Sequence, residues 1–339
     1  MTTAAEHASV TPERIFETLN AYQKTAALKT AIELDVFSAI AGGATAVPAI
    51  AKRCQSSERG IRILCDYLVI NGFLTKNDHE YALAGDSALF LDRRSPAYLG
   101  TAAGFLALPE MISLYQNLTA IVRTGASLQG DQATVAPNSP RWVEFARSMA
   151  ALQRITAAAV AEMLGASAGE KWKVLDVAAG HGMYGVTIAK QNPNAEIYAL
   201  DWPEVLKVAK EHAEAAGVAA RYHDLPGSAF EVDLGKDYDL VLLTGFLHHF
   251  DPQTIEGLLR KVHAALKPQG RVVTVEFVPN EDRVTPPAPA AFSMVMLGTT
   301  RSGDAYTYSE FDRMFRNVGF TFNELRRGPG PQSFIISKK

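Results

Sequence analysis

From Trp172 onward the sequence alternates short apolar runs with stretches of helical period, and this alternation fixes the fold class of the C-terminal half. Trp172–Val177, Ala195–Leu200, Tyr238–Thr244 and Gly270–Phe277 are rich in Val, Leu and Ile and are predicted as strands. Between them Met183–Gln191, Glu204–Ala216 and Pro252–Leu266 are predicted as helices, with a short strand near Ala220–Tyr222. Strand–helix–strand units of this length cross over right-handedly and build a parallel sheet. At the end of the chain, Phe320–Leu325 and Ser333–Ser337 flank an Arg-Arg-Gly-Pro-Gly-Pro turn, which predicts an antiparallel hairpin closing an α/β sheet.

Before residue 170 the periods are helical. Ala26–Phe37 carries apolar residues at i, i+3, i+4 spacing, Val47–Lys52 is a short helix, and Ser57 is a natural N-cap for a helix ending at Asn71-Gly72. Phe73–Thr75 and Tyr81–Leu83 then form a hairpin, completing a winged-helix pattern. The first hundred residues hold 10 Lys+Arg against 11 Asp+Glu, so this element lacks the basic face that phosphate binding needs. Packing is its expected use. Ala26–Ile40 is too apolar for a free surface helix, which predicts a homodimer in which this segment packs on its mate. Residues 97–165 read as further helices around a polar loop at Gly130–Pro140. The expected division is 1–100 for the winged helix, 101–168 for connecting helices lining a pocket, and 169–339 for the sheet domain.

A formal net charge of -3 excludes a general attraction to nucleic acid or an acidic membrane. Cys54 and Cys65 stand alone, without a C-x-x-C pair, and are expected to be buried and inert. Met1–Val10 shows no basic region followed by an apolar run, and the uncharged Ser95–Pro109 stretch is too short to span a bilayer, so a cytoplasmic protein is expected.

The first strand of the sheet domain ends in Asp176-Val-Ala-Ala-Gly180-His-Gly182. Glycines there let the backbone turn sharply and approach a ligand. Asp201, at the end of the second strand, can accept hydrogen bonds from both hydroxyls of a ribose. Gly180, Gly182 and Gly185 also match a dinucleotide fingerprint, which keeps a nicotinamide oxidoreductase open. Asp176 argues the other way: a carboxylate beside the loop would repel a pyrophosphate and suit an ammonium, such as that of S-adenosyl-L-methionine. The fourth strand leads into Gly245-Phe-Leu-His248-His249-Phe250, and the neighbouring fifth ends at Glu276. A histidine beside a carboxylate at the carboxyl edge of a parallel sheet is a general-base arrangement. Whether His248 or His249 enters the site is open at this level. The spacing of His223, His248 and His249 matches no common zinc set, so no metal is expected.

These residues resemble the small-molecule O-methyltransferases that include plant caffeate and flavonoid, hydroxyindole and bacterial polyketide enzymes. Ala27–Phe37 resembles that family's dimerisation segment, Asp176–Gly182 its cofactor loop with Ala178 where glycine is usual, and Leu247–Phe250 its Leu-His-Asp-Trp segment. Gly303–Thr307, Phe311 and Val318–Phe320 resemble its closing motif. The resemblance implies a seven-stranded Rossmann-like methyltransferase sheet behind an α-helical winged-helix dimerisation domain, with S-adenosyl-L-methionine as cofactor. It implies His248 as base and Glu276 as its orienting carboxylate. Asp176, Ala178, Gly180, Gly182, Asp201 and Trp202 would form the cofactor side, with Asp224 and Leu225 flanking adenine and Thr244 and Gly245 lining the sulfonium. Phe145, Met149, Leu152, Phe292, Met296 and Thr300 would line the acceptor pocket. Leu152 stands where plant members carry a histidine, and Ala305 where many carry a second orienting Glu. A phenolic or enolic acceptor is expected, with carbon or nitrogen acceptors and a non-catalytic winged-helix regulator as rivals. At this level Glu276→Gln is expected to cost less activity than His248→Ala.

Overall fold

The computed structural model describes residues 10–129, 136 and 139–339, so most of the polar loop expected at Gly130–Pro140 lies outside the described residues. The chain divides into two compact units, one ending at Ala107 and the other spanning Leu108–Lys339. The stretch expected as connecting helices, 101–168, is therefore cut, and most of it belongs to the second unit.

The first unit contains α1 (Glu13–Leu19), α2 (Ala21–Glu33), α3 (Val36–Ala41), α4 (Val47–Arg53), α5 (Glu58–Ile70), β1 (Leu74–Asn77), β2 (Glu80–Leu83), α6 (Gly85–Phe90) and α7 (Ala102–Leu106). The Ser57 side chain accepts the Gly60 N–H at 3.1 Å, so α5 starts where its cap dictates. Ile61, Cys65 and Leu68 put one α5 face into the core, and the β1–β2 hairpin pairs Leu74 with Leu83. Lys76, on the wing, is held by Asp66 at 2.5 Å, which neutralises a cation that a DNA-reading wing would present.

Much of the apolar surface of Ala26–Ile40 is taken up within its own unit. Ala31, Val36, Phe37, Ala39 and Ile40 are buried in the unit's own core together with Ile50 and Tyr81. Exposed apolar side chains lie just before it: Ile15, Phe16 and Leu19 on α1 and Tyr22 at the start of α2 are 59–68% exposed. The segment's hydrophobicity reflects burial within its own chain.

The second unit opens with α8 (Pro109–Gln116), α9 (Leu118–Thr124) and the long α10 (Pro140–Met163). There follow β3 (Trp172–Val177), α11 (Met183–Gln191), β4 (Ala195–Asp201), α12 (Pro203–Ala215), β5 (Tyr222–Pro226), β6 (Tyr238–Thr244), α13 (Pro252–Ala265) and β7 (Leu266–Glu276). The chain ends with α14 (Pro287–Thr299), α15 (Tyr308–Asn317), β8 (Phe322–Arg327) and β9 (Ser333–Lys338). The seven strands lie in the order β5-β4-β3-β6-β7-β9-β8. Pairing is parallel from β5 to β7 and antiparallel at β9 and β8. The reversal of strand order between β3 and β6 opens the crevice in which such sheets bind ligands.

Two expectations shift. The strand expected at Ala220–Tyr222 begins at Tyr222, and Ala219–Arg221 is a 3-10 turn. Arg221 explains the turn, because its guanidinium reaches back to the carbonyls of Ala189, Asn192 and Ala195. α14 was hidden behind prolines, yet Pro287 and Pro289 occupy its first turn, where no intrahelical N–H is needed. Among the described residues, no single helix is long and apolar enough to cross a membrane.

Candidate active site

β6 and β7 run side by side with Thr244 opposite Val275, and Gly245 donates its N–H to the Val275 carbonyl at 2.8 Å. At Gly245 the backbone is left-handed, φ 64°, which turns the chain into a short 3-10 helix, Leu247–His249. Glu276, fully buried at the end of β7, caps this helix. Its Oε1 accepts the N–H groups of Phe246 (3.1 Å), Leu247 (2.9 Å) and His248 (3.4 Å), while Oε2 lies 2.5 Å from His248 Nδ1. One carboxylate thus fixes both the backbone that carries the histidine and the ring itself. With its proton on Nδ1, facing the carboxylate, the neutral ring keeps Nε2 as its basic atom.

Gly303 braces the same segment from behind; a Cβ there would collide with the His248 carbonyl oxygen. The Tyr306 hydroxyl donates to the Phe250 carbonyl at 2.7 Å. Ala305 is fully buried and offers this region a methyl group only.

His249 is in a different state. Its ring lies 4.4 Å from that of His248 and edge-on to Trp142, and its Nδ1 is buried with no hydrogen-bond partner among the described residues. Burial first, then His248 and Arg141, hold its pKa well below the usual imidazole value.

On the other side of the crevice, Ala178, Gly180 and Gly182 all have left-handed φ (51°, 56° and 70°). Asp201 accepts the N–H groups of Gly180 at 2.8 Å and Trp202 at 2.7 Å, and burial raises its pKa to about 6. Asp176 is buried under the loop with no exposure. Its Oδ2 accepts the Gly185 N–H at 3.2 Å, its Oδ1 has no partner among the described residues, and burial pushes its pKa to about 8. Ala178 tests the loop's strain. A Cβ in the left-handed region costs ~1–2 kcal/mol. Glycine also frees the unfolded chain, at ~0.4–1 kcal/mol. Ala178→Gly is therefore expected to raise unfolding free energy by up to ~1 kcal/mol in urea titration. A fall in stability would overturn that account.

The remaining site residues are not equally close to the base. Phe292 meets the His248 ring edge-on at 4.8 Å and stacks on Phe277 at 4.0 Å. Phe145 joins the site through Trp142, and Met149 and Met296 are buried on α10 and α14. The Thr300 hydroxyl donates to the Met296 carbonyl and accepts the Gly303 N–H. Leu152 is 39% exposed. Trp202 packs with Trp142, Ala146 and Val205. Asp224 is exposed on the edge strand β5, opposite Ala199, and Leu225 is half-buried on the other face. Sequence reasoning missed Trp142, edge-on to His249, and Phe277, stacked on Phe292. Aromatic residues on helices and strands look like ordinary core until the fold brings them to one crevice. Among the described residues no group of three or more His, Cys, Asp or Glu is placed to hold a metal.

A family profile described as an O-methyltransferase domain matches residues 132–321, more than half of the chain, and one described as an O-methyltransferase dimerisation domain matches residues 16–93. The chain belongs to the O-methyltransferase family. A solved structure from Nostoc punctiforme, assigned to the O-methyltransferases, is similar to this O-methyltransferase with a TM-score of 0.93 and 49% identity, covering 98% of this chain and 100% of that one. The 3-hydroxy-5-methyl-1-naphthoate 3-O-methyltransferase of Streptomyces sahachiroi is 27% identical over 87% of this chain and 86% of its own. Human N-acetylserotonin methyltransferase, solved in complex with SAM, shares the fold at a TM-score of 0.84 and 21% identity, covering 100% and 99%. The glycine loop of this O-methyltransferase therefore belongs to a methyl-transfer enzyme, and the nicotinamide and regulator readings fall away.

Proposed function

We propose that this O-methyltransferase moves a methyl group from S-adenosylmethionine to the phenolic or enolic hydroxyl of a small molecule, with His248 as general base and Glu276 as the carboxylate that orients it. The observation that carries the reading is the 2.5 Å contact between His248 Nδ1 and a buried Glu276 already gripped by three backbone N–H groups. A base oriented before the acceptor arrives loses little on reaching the transition state.

The loop fits the cofactor. Gly180 and Gly182 allow close backbone approach, Asp201 stands half-exposed at the end of β4 for a ribose diol, and Asp176, buried beneath the loop, accepts the Gly185 N–H. Ala178, Trp202, Thr244 and Gly245 complete this side, with Asp224 and Leu225 toward adenine. The cofactor supplies a methyl group already activated on a sulfonium sulfur. His248 has then only to remove the acceptor's proton, while Phe145, Met149, Phe292 and Met296 hold an apolar body against it. A phenol, with a pKa near ~10, is within reach of an imidazole, and an aliphatic alcohol is far harder to deprotonate. The hydroxynaphthoate in the name of the Streptomyces sahachiroi relative supports an aromatic hydroxyl here. A screen of phenols and shape-matched primary alcohols with labelled S-adenosylmethionine tests the assignment. Labelled ethers are expected from phenols; label in the alcohols and none in the phenols would sink it.

The working unit is a homodimer formed through the first unit. The exposed apolar residues Ile15, Phe16 and Leu19 of α1 and Tyr22 at the start of α2, inside or beside the dimerisation match, support this. Light scattering of the unchanged protein at micromolar concentration is expected to give twice the chain mass, and Leu19→Glu to reduce it to one. A monomer mass for the unchanged protein refutes the dimer.

A further inference from the structure

His181, between the two loop glycines, has no task in the chemistry above. It is 5% exposed, and its Nδ1 accepts the Met183 N–H at 3.1 Å. His212 donates from Nδ1 to the His181 carbonyl at 2.8 Å. Burial, reinforced by His212, pushes the His181 imidazole down to about 3, so the ring is neutral. It is therefore a flat, uncharged plate set into the loop, and its neighbours use it as one.

The His181 ring stacks with Phe145 (6.3 Å, 19°) and with Tyr184 (6.1 Å, 29°). Phe145 continues edge-on to Trp142 at 5.8 Å, and Trp142 to His249 at 5.7 Å, next to the base. The Tyr184 hydroxyl donates to Gln153 Oε1 at 2.8 Å, which returns the far end of the chain of rings to α10. Phe145 also borders the loop directly; a Cβ on Gly180 would lie 3.8 Å from its ring. α10 carries Trp142, Phe145, Met149 and Gln153, so the helix that walls the acceptor side is fastened to the cofactor loop through a histidine plate.

We propose that His181 is a positioning residue that couples occupancy of the cofactor loop to the placement of Phe145 and Trp142 against the acceptor. Ligand contacts to the backbone at Gly180–Gly182 fix the His181 ring, and the stacked ring fixes Phe145. Contiguous packed side chains of this kind can carry coupling between two sites, and the coupling is reciprocal. Cofactor bound first then organises the acceptor wall, and bound acceptor tightens the hold on cofactor. The inference rests on the cofactor assignment made above.

Hydrogen exchange of the full-length protein, with S-adenosylhomocysteine as the probe, tests it without knowledge of the acceptor. In the unchanged protein, saturating S-adenosylhomocysteine is expected to slow exchange across 140–163 by about tenfold. In His181→Ala that protection should fall below about twofold, with the S-adenosylhomocysteine Kd changed less than about threefold. His181→Phe, which restores a neutral flat ring, should recover the protection, and a purely structural role for the loop would not separate the two readouts. Protection retained in His181→Ala overturns the proposal, as does protection lost in a folded His181→Phe. A Kd that rises as far in His181→Ala as in Asp201→Ala also overturns it, by making His181 a cofactor contact. If the unchanged protein fails to bind S-adenosylhomocysteine, the cofactor assignment itself has failed, a result distinct from binding without protection of α10.

Discussion

His248→Ala is expected to lower turnover of a phenolic acceptor by ~10²–10⁴-fold, the usual contribution of a positioned general base. S-adenosylhomocysteine affinity should stay nearly unchanged, because in the proposed mechanism the imidazole serves the transition state and the loop held by Asp201 and Gly180 serves the cofactor. The fold should tolerate the change, since Glu276 keeps its three backbone donors from Phe246, Leu247 and His248. His249→Ala is the matched control. Among the described residues its ring meets no orienting carboxylate and its Nδ1 is buried without a partner, and burial first, then His248 and Arg141, disfavours the charged form a base must adopt. It should therefore retain turnover within about tenfold. Full turnover in His248→Ala would show that alignment alone suffices or that His249 is the base, and the control separates those outcomes.

Glu276→Gln is expected to cost as much activity as His248→Ala, which reverses the expectation from sequence. The reason is in the division of labour between the two carboxylate oxygens. Oε1 accepts three backbone N–H groups, and only the carbonyl oxygen of a glutamine can take over that post. The amide nitrogen must then face His248 Nδ1, where Oε2 now lies at 2.5 Å. An NH2 group donates, so Nδ1 has to accept, and the ring's proton moves to Nε2. The base is held in place in the wrong tautomer. In the serine-protease triad the equivalent acid-to-amide change costs ~10⁴ in kcat with geometry intact. Thermal stability should change little, which separates this variant from one that has lost its backbone cap. Turnover measured beside a melting curve checks both halves. A Glu276→Gln enzyme within about tenfold of the unchanged protein would mean that the amide flips and the backbone cap is dispensable.

Much of the fold was legible because its signals are local. The boundaries of β3, α11 and β6 follow from apolar runs and flanking glycines, and Ser57 caps α5 as its hydroxyl dictates. The approximate position of the site was legible for the same reason. In a parallel sheet the carboxyl ends of neighbouring strands meet at one edge, so Asp176, Asp201, His248 and Glu276 had to gather there. Other features depend on contacts distant in sequence. The apolarity of Ala26–Ile40 says that the segment is buried and not by what; the structure buries it in its own unit and leaves α1 exposed. The start of β5 is set by carbonyls that Arg221 finds up to thirty-two residues earlier. A sequence shows a histidine and a glutamate near each other on two strands, and only the tertiary structure divides the glutamate's oxygens between a backbone cap and a ring. It likewise engages the Thr300 hydroxyl with Met296 and Gly303 and brings Trp142, Phe145, His181 and Tyr184 into successive ring contacts. Period and propensity act over a few residues, so the sequence by itself determined the elements, their order and the edge at which the candidate site lies. Hydrogen-bond direction and ring contact depend on ångström-scale placement of groups far apart in the chain, and these only packing decided.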